Sequence, residues 1–108
     1  MGTLSTHVLD TSLGRPAEGV HVWLGTLAGE ALGEGTTDSD GRIDTIGPQR
    51  LTPGHYRLRF ASGDYFAAAG TPAFYPEIAI AFTISDGDEH YHVPVLLNPF
   101  GYATYRGS

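Results

Sequence analysis

Hydrophobic and polar residues alternate along this chain in short runs, each closed by glycine, proline or aspartate. Alternation with period two predicts strands. Residues 4–9 form the first, with Leu4, Thr6 and Val8 on the core side and Ser5, His7 and Leu9 on the other. Residues 20–27 form the second and residues 30–37 a third, weakened by two glycines. Asp38-Ser39-Asp40-Gly41 is a tight turn by composition, and 42–46 a short edge strand stopped by Gly47-Pro48. In residues 55–60, Tyr56, Leu58 and Phe60 share one face while Arg57 and Arg59 take the other. Residues 64–69 are the one helix predicted, with Asp64 as its cap and Gly70 as its stop. Residues 78–84, 90–97 and 102–106 complete the set, and the spacing predicts an all-β sandwich. On 78–84, Ala79, Ala81 and Thr83 form a face of small residues where charges would be usual, which raises close approach by a second subunit.

Composition narrows the chemistry. At 108 residues a single domain over 1–108 is expected. With no cysteine there is no disulfide scaffold, thiolate metal site or cysteine nucleophile. All six basic residues are arginine, which removes Schiff-base lysines and lysine phosphate loops. The formal charge of −6 argues against nucleic-acid binding. No run approaches the ~20 apolar residues of a membrane span, and residues 1–10 lack the apolar run of a signal peptide, so a cytoplasmic location is expected.

Five histidines remain as candidates for proton transfer near neutral pH. His90 and His92 fall two apart on one strand face, and His7 lies on a non-core face. Taken singly, each also reads as a partly exposed strand histidine without a role. His7, His90 and His92 have the residue types of a three-histidine zinc site, but no acidic residue is placed to orient them. The run Asp38-Ser39-Asp40-Gly41 fails as a calcium loop, because Ile43 and Gln49 stand at the glycine and glutamate positions.

Several segments together resemble one family. Tyr105-Arg106-Gly107-Ser108 resembles the tail signature of the 5-hydroxyisourate hydrolases, the transthyretin-like enzymes of urate breakdown. Leu4-Ser5-Thr6-His7-Val8-Leu9-Asp10, Asp40-Gly41-Arg42, Tyr75-Pro76-Glu77-Ile78 and His90-Tyr91-His92-Val93-Pro94 are similar to its other motifs, in the same order. Transthyretin itself shares the fold but lacks this tail and the catalytic histidines.

The resemblance implies a transthyretin-like sandwich of two four-stranded sheets, with a short helix between the fifth and sixth strands. It implies a homotetramer, a dimer of dimers, with sites at the subunit interface. His7, Arg42 and His92 match the family's catalytic residues, and Tyr105, Arg106, Gly107 and Ser108 the tail that lines the site. The implied reaction is metal- and cofactor-free opening of a cyclic amide, 5-hydroxyisourate giving 2-oxo-4-hydroxy-4-carboxy-5-ureidoimidazoline, on the way to allantoin. Two other readings compete with it: a non-catalytic carrier of a small aromatic ligand in the same fold, and a zinc-dependent hydrolase.

Overall fold

The computed structural model describes residues 3–108. Met1 and Gly2, which open both the predicted domain and the N-terminal stretch read for a leader, lie outside the described residues. The elements follow in the order β1 (Leu4–Asp10), β2 (Arg15–Pro16), β3 (His21–Thr26), β4 (Ala31–Thr36), β5 (Arg42–Ile43) and β6 (Gly54–Phe60). Then come α1 (Ser62–Ala68), β7 (Ile78–Ile84), β8 (Tyr91–Asn98) and β9 (Gly101–Thr104).

They build two sheets, β2-β1-β8-β9 with β5 also on β1, and β4-β3-β6-β7. The first sheet has five strands by count rather than the expected four. Its width is still four, because β5 pairs with Thr6 and His7 while β2 pairs with Leu9 and Asp10, end to end along one edge of β1. With the two-residue β2 set aside, α1 falls between the fifth and sixth strands, as the resemblance implies.

The alternation predicted from sequence is what buries the core. Leu4 and Val8 of β1, Val22 and Leu24 of β3, Leu58 and Phe60 of β6 and Val95 and Leu97 of β8 are all at most 1% exposed. Each such side chain removed from water stabilises the fold by about 1.5–3 kcal/mol. Thr6 shares the core face of β1 and satisfies its hydroxyl by donating to the Val93 carbonyl at 2.7 Å.

Several boundaries differ from expectation: β5 spans only Arg42–Ile43 of the edge strand expected over 42–46, and most other strand ends move by one or two residues. The helix starts at Ser62, and Ala61 stands at its N-cap without a side-chain cap. Asp64 lies in the first turn, where its charge complements the helix dipole, and does not cap it. The helix stops as predicted: Gly70 N–H donates to Ala67 O and Thr71 N–H to Phe66 O, the paired bonds of a Schellman ending. The last strand ends at Thr104, and His90 lies just before β8.

The small residues of β7 are exposed on the outer surface of the four-stranded sheet, away from β1 and β8. Ala79 sits opposite Arg59 and Ala81 opposite Arg57. The small residues thus leave lateral room for two long side chains. None of the described residues covers that face. No helix is long and apolar enough to cross a membrane among the described residues.

Candidate active site

The site is assembled by strand register. β1 and β8 run parallel, with Ser5 opposite His92 and His7 opposite Pro94. On the other edge of β1, His7 is opposite Arg42 of β5. Ser5 and His7 lie two apart on one strand and His92 and Pro94 two apart on the next, so the three predicted catalytic residues share the non-core face of one sheet. They come from positions 7, 42 and 92, and only pairing of β1 with both neighbours brings them together.

Arg42 is placed by the turn before it. The Asp38 carboxylate accepts from Asp40 N–H and Arg42 N–H, both at 2.9 Å, and Gly41 N–H donates to Asp38 O at 2.9 Å. The Arg42 N–H is the main reason the Asp38 carboxyl is held below the ordinary carboxylate range. Gly41 has φ +75° and returns to β1 by accepting from Val8 N–H at 2.7 Å. The run read as a turn and not a calcium loop is therefore a rigid bracket for Arg42.

His7 Nε2 lies 2.9 Å from the Asp40 carbonyl. A carbonyl only accepts, so Nε2 carries the proton and neutral His7 keeps its lone pair on Nδ1. His92 Nδ1 is 2.7 Å from Ser5 Oγ, which is also 2.9 Å from His90 Nε2; His90 Nδ1 is 2.6 Å from Thr3 Oγ1. Burial, then the positive charge of Arg42, then His7 and His90 hold the His92 imidazole below the ordinary histidine value of about 6.5. His92 is therefore neutral at pH 7, with an unprotonated ring nitrogen able to accept a proton.

The tail closes on His92. Gly107 N–H donates to the His92 carbonyl at 2.8 Å, and the two residues form an isolated antiparallel bridge. A Cβ on Gly107 would stand 2.6 Å from His92 Cδ2 and 3.2 Å from Pro94 Cγ, so only glycine lets the tail lie against the ring. Gly107→Ala is accordingly expected to push the imidazole aside and lower kcat about tenfold or more with little loss of stability, which steady-state kinetics beside a thermal melt would check. Arg106 pairs with Glu89 at 3.3 Å and lies over the Tyr91 ring, 4.7 Å from its centroid. Tyr105 is exposed, and it lines with His92, Arg106 and Phe82 a cavity of about 300 Å³. Ser108 is exposed beyond the bridge. His7 and Arg42 lie outside that cavity, on the open sheet face. A larger groove of about 870 Å³ beside α1, lined by Trp23, Tyr65 and Ala68, contains none of the predicted site residues.

The zinc reading asks for three converging imidazoles. Both His90 nitrogens are engaged by hydroxyls, and among the described residues no three His, Asp or Glu side chains are grouped to hold a metal. The bridging hydroxyls of Ser5 and Thr3 were missed by sequence reasoning. Ser5 sits on the His7 face of β1, but its partner at 92 follows only from the parallel pairing.

Comparison with known proteins identifies the family and the fold. Residues 4–107 match the model of the HIUase/Transthyretin family. The chain is 49% identical over 118 residues to 5-hydroxyisourate hydrolase 2 of Rhizobium meliloti (strain 1021), covering 99% of this chain and 97% of that protein. The solved 5-hydroxyisourate hydrolase of Klebsiella pneumoniae superposes with a TM-score of 0.90 at 46% identity, over 98% of this chain and 99% of that one. Sea bream transthyretin, solved with thyroxine, superposes with a TM-score of 0.88 at 29% identity, over 97% and 94% of the two chains. With the transthyretin-like sandwich in place and the match running almost end to end, the chain belongs to the HIUase/Transthyretin family.

Proposed function

We propose that this protein hydrolyses 5-hydroxyisourate, with His7, Arg42 and His92 as its catalytic residues and Tyr105, Arg106, Gly107 and Ser108 lining the site. The observation that carries the reading is the convergence of His7, Arg42 and His92 from three distant segments onto one sheet face.

Each residue has chemistry suited to opening a cyclic amide. His92, held neutral, takes a proton from water as the water oxygen bonds to the carbonyl carbon. Arg42, charged throughout, stabilises the oxyanion that develops on the carbonyl oxygen. His7 carries an N–H fixed by Asp40 and a free Nδ1 lone pair, which orients the water. The ring nitrogen departs with a proton, and water has been added across the carbon–nitrogen bond. The tail supplies the wall against which His92 rests.

The face bearing His7 and Arg42 is uncovered among the described residues: Arg42 is exposed and His7 half-buried. Closing this face against a second copy supplies the missing wall, which supports a homotetramer with its sites between subunits. Light scattering of the active protein checks this; full activity from a monomer would remove it.

The test of the function is the decay of freshly generated 5-hydroxyisourate, followed by ultraviolet absorbance with EDTA present and the spontaneous rate subtracted. Acceleration supports the hydrolase. No acceleration by folded protein would favour a carrier of small aromatic ligands. The same assay carries a pH prediction. The His92 value is depressed, so the neutral base persists below the ordinary histidine range. We expect kcat/KM to fall on the acid side with a midpoint below the ordinary histidine value of about 6.5, as His92 becomes protonated. A midpoint above pH 7 would point to a different base.

A further inference from the structure

His92 is not held alone. Four side chains, Thr3, His90, Ser5 and His92, form one continuous hydrogen-bonded row with steps of 2.6, 2.9 and 2.7 Å. Its two ends differ. Ser5 is buried and His92 half-buried, while His90 is exposed and Thr3, just before β1, is half-buried. Among the described residues the His92 Nε2 atom has no hydrogen-bond partner, so it is the nitrogen left for water or substrate.

Counting protons restricts this row to two states. The Ser5 hydroxyl has one proton and touches a ring nitrogen on each side. It donates to one ring and accepts from the other. In the first state His92 Nδ1–H donates to Ser5, Ser5 donates to His90 Nε2, and His90 Nδ1–H donates to Thr3. His92 Nε2 then carries a lone pair and is a base. In the second state every bond is reversed, and His92 Nε2 carries a proton and is an acid. No mixed state satisfies all four groups, so the tautomers of His90 and His92 change together.

We propose that Ser5 and His90 are positioning residues that act through His92, setting its tautomer for attack and shuttling protons between it and solvent. The inference rests on the hydrolase reading above. As the water oxygen bonds to the carbonyl carbon, the water O–H breaks and His92 Nε2–H forms. Nδ1–H passes to Ser5 Oγ, the Ser5 proton passes to His90 Nε2, and the His90 Nδ1 proton passes to Thr3, which gives its own to solvent. His92 is left neutral with Nε2 protonated. That proton then goes to the departing ring nitrogen as the carbon–nitrogen bond breaks, and one proton returns along the row. No net proton is consumed by the row in a turnover. One ring thus serves first as base and then as acid, without a lasting imidazolium charge facing Arg42.

The experiment compares wild type, Ser5→Ala, His90→Phe and the double variant. Ser5→Ala removes only a hydroxyl, and His90→Phe replaces an exposed ring, so thermal melts should confirm folding in both. We expect kcat to fall about 10- to 100-fold in each single variant with KM within about twofold, less than the ~10²–10⁴ that a positioned acid or base itself contributes. The double variant should be no slower than the worse single one, because the row works only as a unit. Multiplying losses would overturn the proposal, as would kcat within about twofold of wild type in either single variant.

Nitrogen-15 spectra of the His92 ring in the free enzyme give a readout that a structural role would not move. Wild type should show Nδ1 as the protonated nitrogen, and Ser5→Ala should shift the proton to Nε2. Identical ring signals in the two proteins would overturn the coupling. That spectrum needs no turnover. Failure of wild type to hydrolyse 5-hydroxyisourate would remove the function, while the spectra would still decide whether Ser5 sets the His92 tautomer.

Discussion

Replacing His92 by alanine is expected to slow 5-hydroxyisourate hydrolysis by about 10²–10⁴-fold in kcat, the loss typical of a missing acid–base group. The fold should survive. His92 is half-buried on the face of β8 turned away from the core, and its partners there are the Ser5 hydroxyl and the tail. Substitutions away from the core usually change stability by no more than about 1 kcal/mol. Single-turnover decay of the substrate beside a thermal melt separates the two effects. Retention of more than about a tenth of the wild-type rate would transfer the role of base to His7, whose Nδ1 lone pair is free.

Gly41→Ala is expected to damage fold and site together. Gly41 has φ +75°, which costs a residue with a side chain about 1 kcal/mol or more. The added Cβ would also collide with the Val8 backbone oxygen and crowd Pro16 Cβ at 3.1 Å. Backbone cannot rotate away as a long side chain can. The two effects together should destabilise the protein by about 2–4 kcal/mol. The turn must move to relieve them, and Arg42 moves with it, because its N–H is held by Asp38 in that turn. Activity should therefore fall even at temperatures where the protein is fully folded. Ser39→Ala, in the same turn but exposed, is the control and should change neither property. Normal activity of folded Gly41→Ala would show that the bracket does not position Arg42.

Most of this architecture was legible in the residues. Tyr56, Leu58 and Phe60 alternate with Arg57 and Arg59, and β6 buries the first set and leaves the second on the outer sheet face. The segment from Ile78 to Ile84 matches its strand residue for residue. The two-residue β2 was missed because two positions carry no periodicity, and it exists only as a partner for the end of β1. The early helix start was missed because Ala61 has none of the side-chain chemistry that marks a cap.

The candidate site was legible as a list of residues and not as an arrangement. His7, Arg42 and His92 were singled out by the motifs they stand in. Alternation places His7 on an outer face, but it says nothing of which strand lies alongside. The Ser5 bridge between two imidazoles depends on a register between positions 5 and 92, and no local pattern encodes it.

That register has a consequence for how the protein acquires activity. The Ser5–His92 contact closes a loop of 87 residues, and the pair of strands carrying it is parallel. Contacts so distant in sequence bear the full loop-closure cost before they contribute, and topologies that rely on them fold slowly. The β3–β4 hairpin and the β6–β7 pair need much shorter loops. Catalysis should thus return late in refolding, after the four-stranded sheet has formed, and its recovery becomes a kinetic clock for the meeting of β1 and β8.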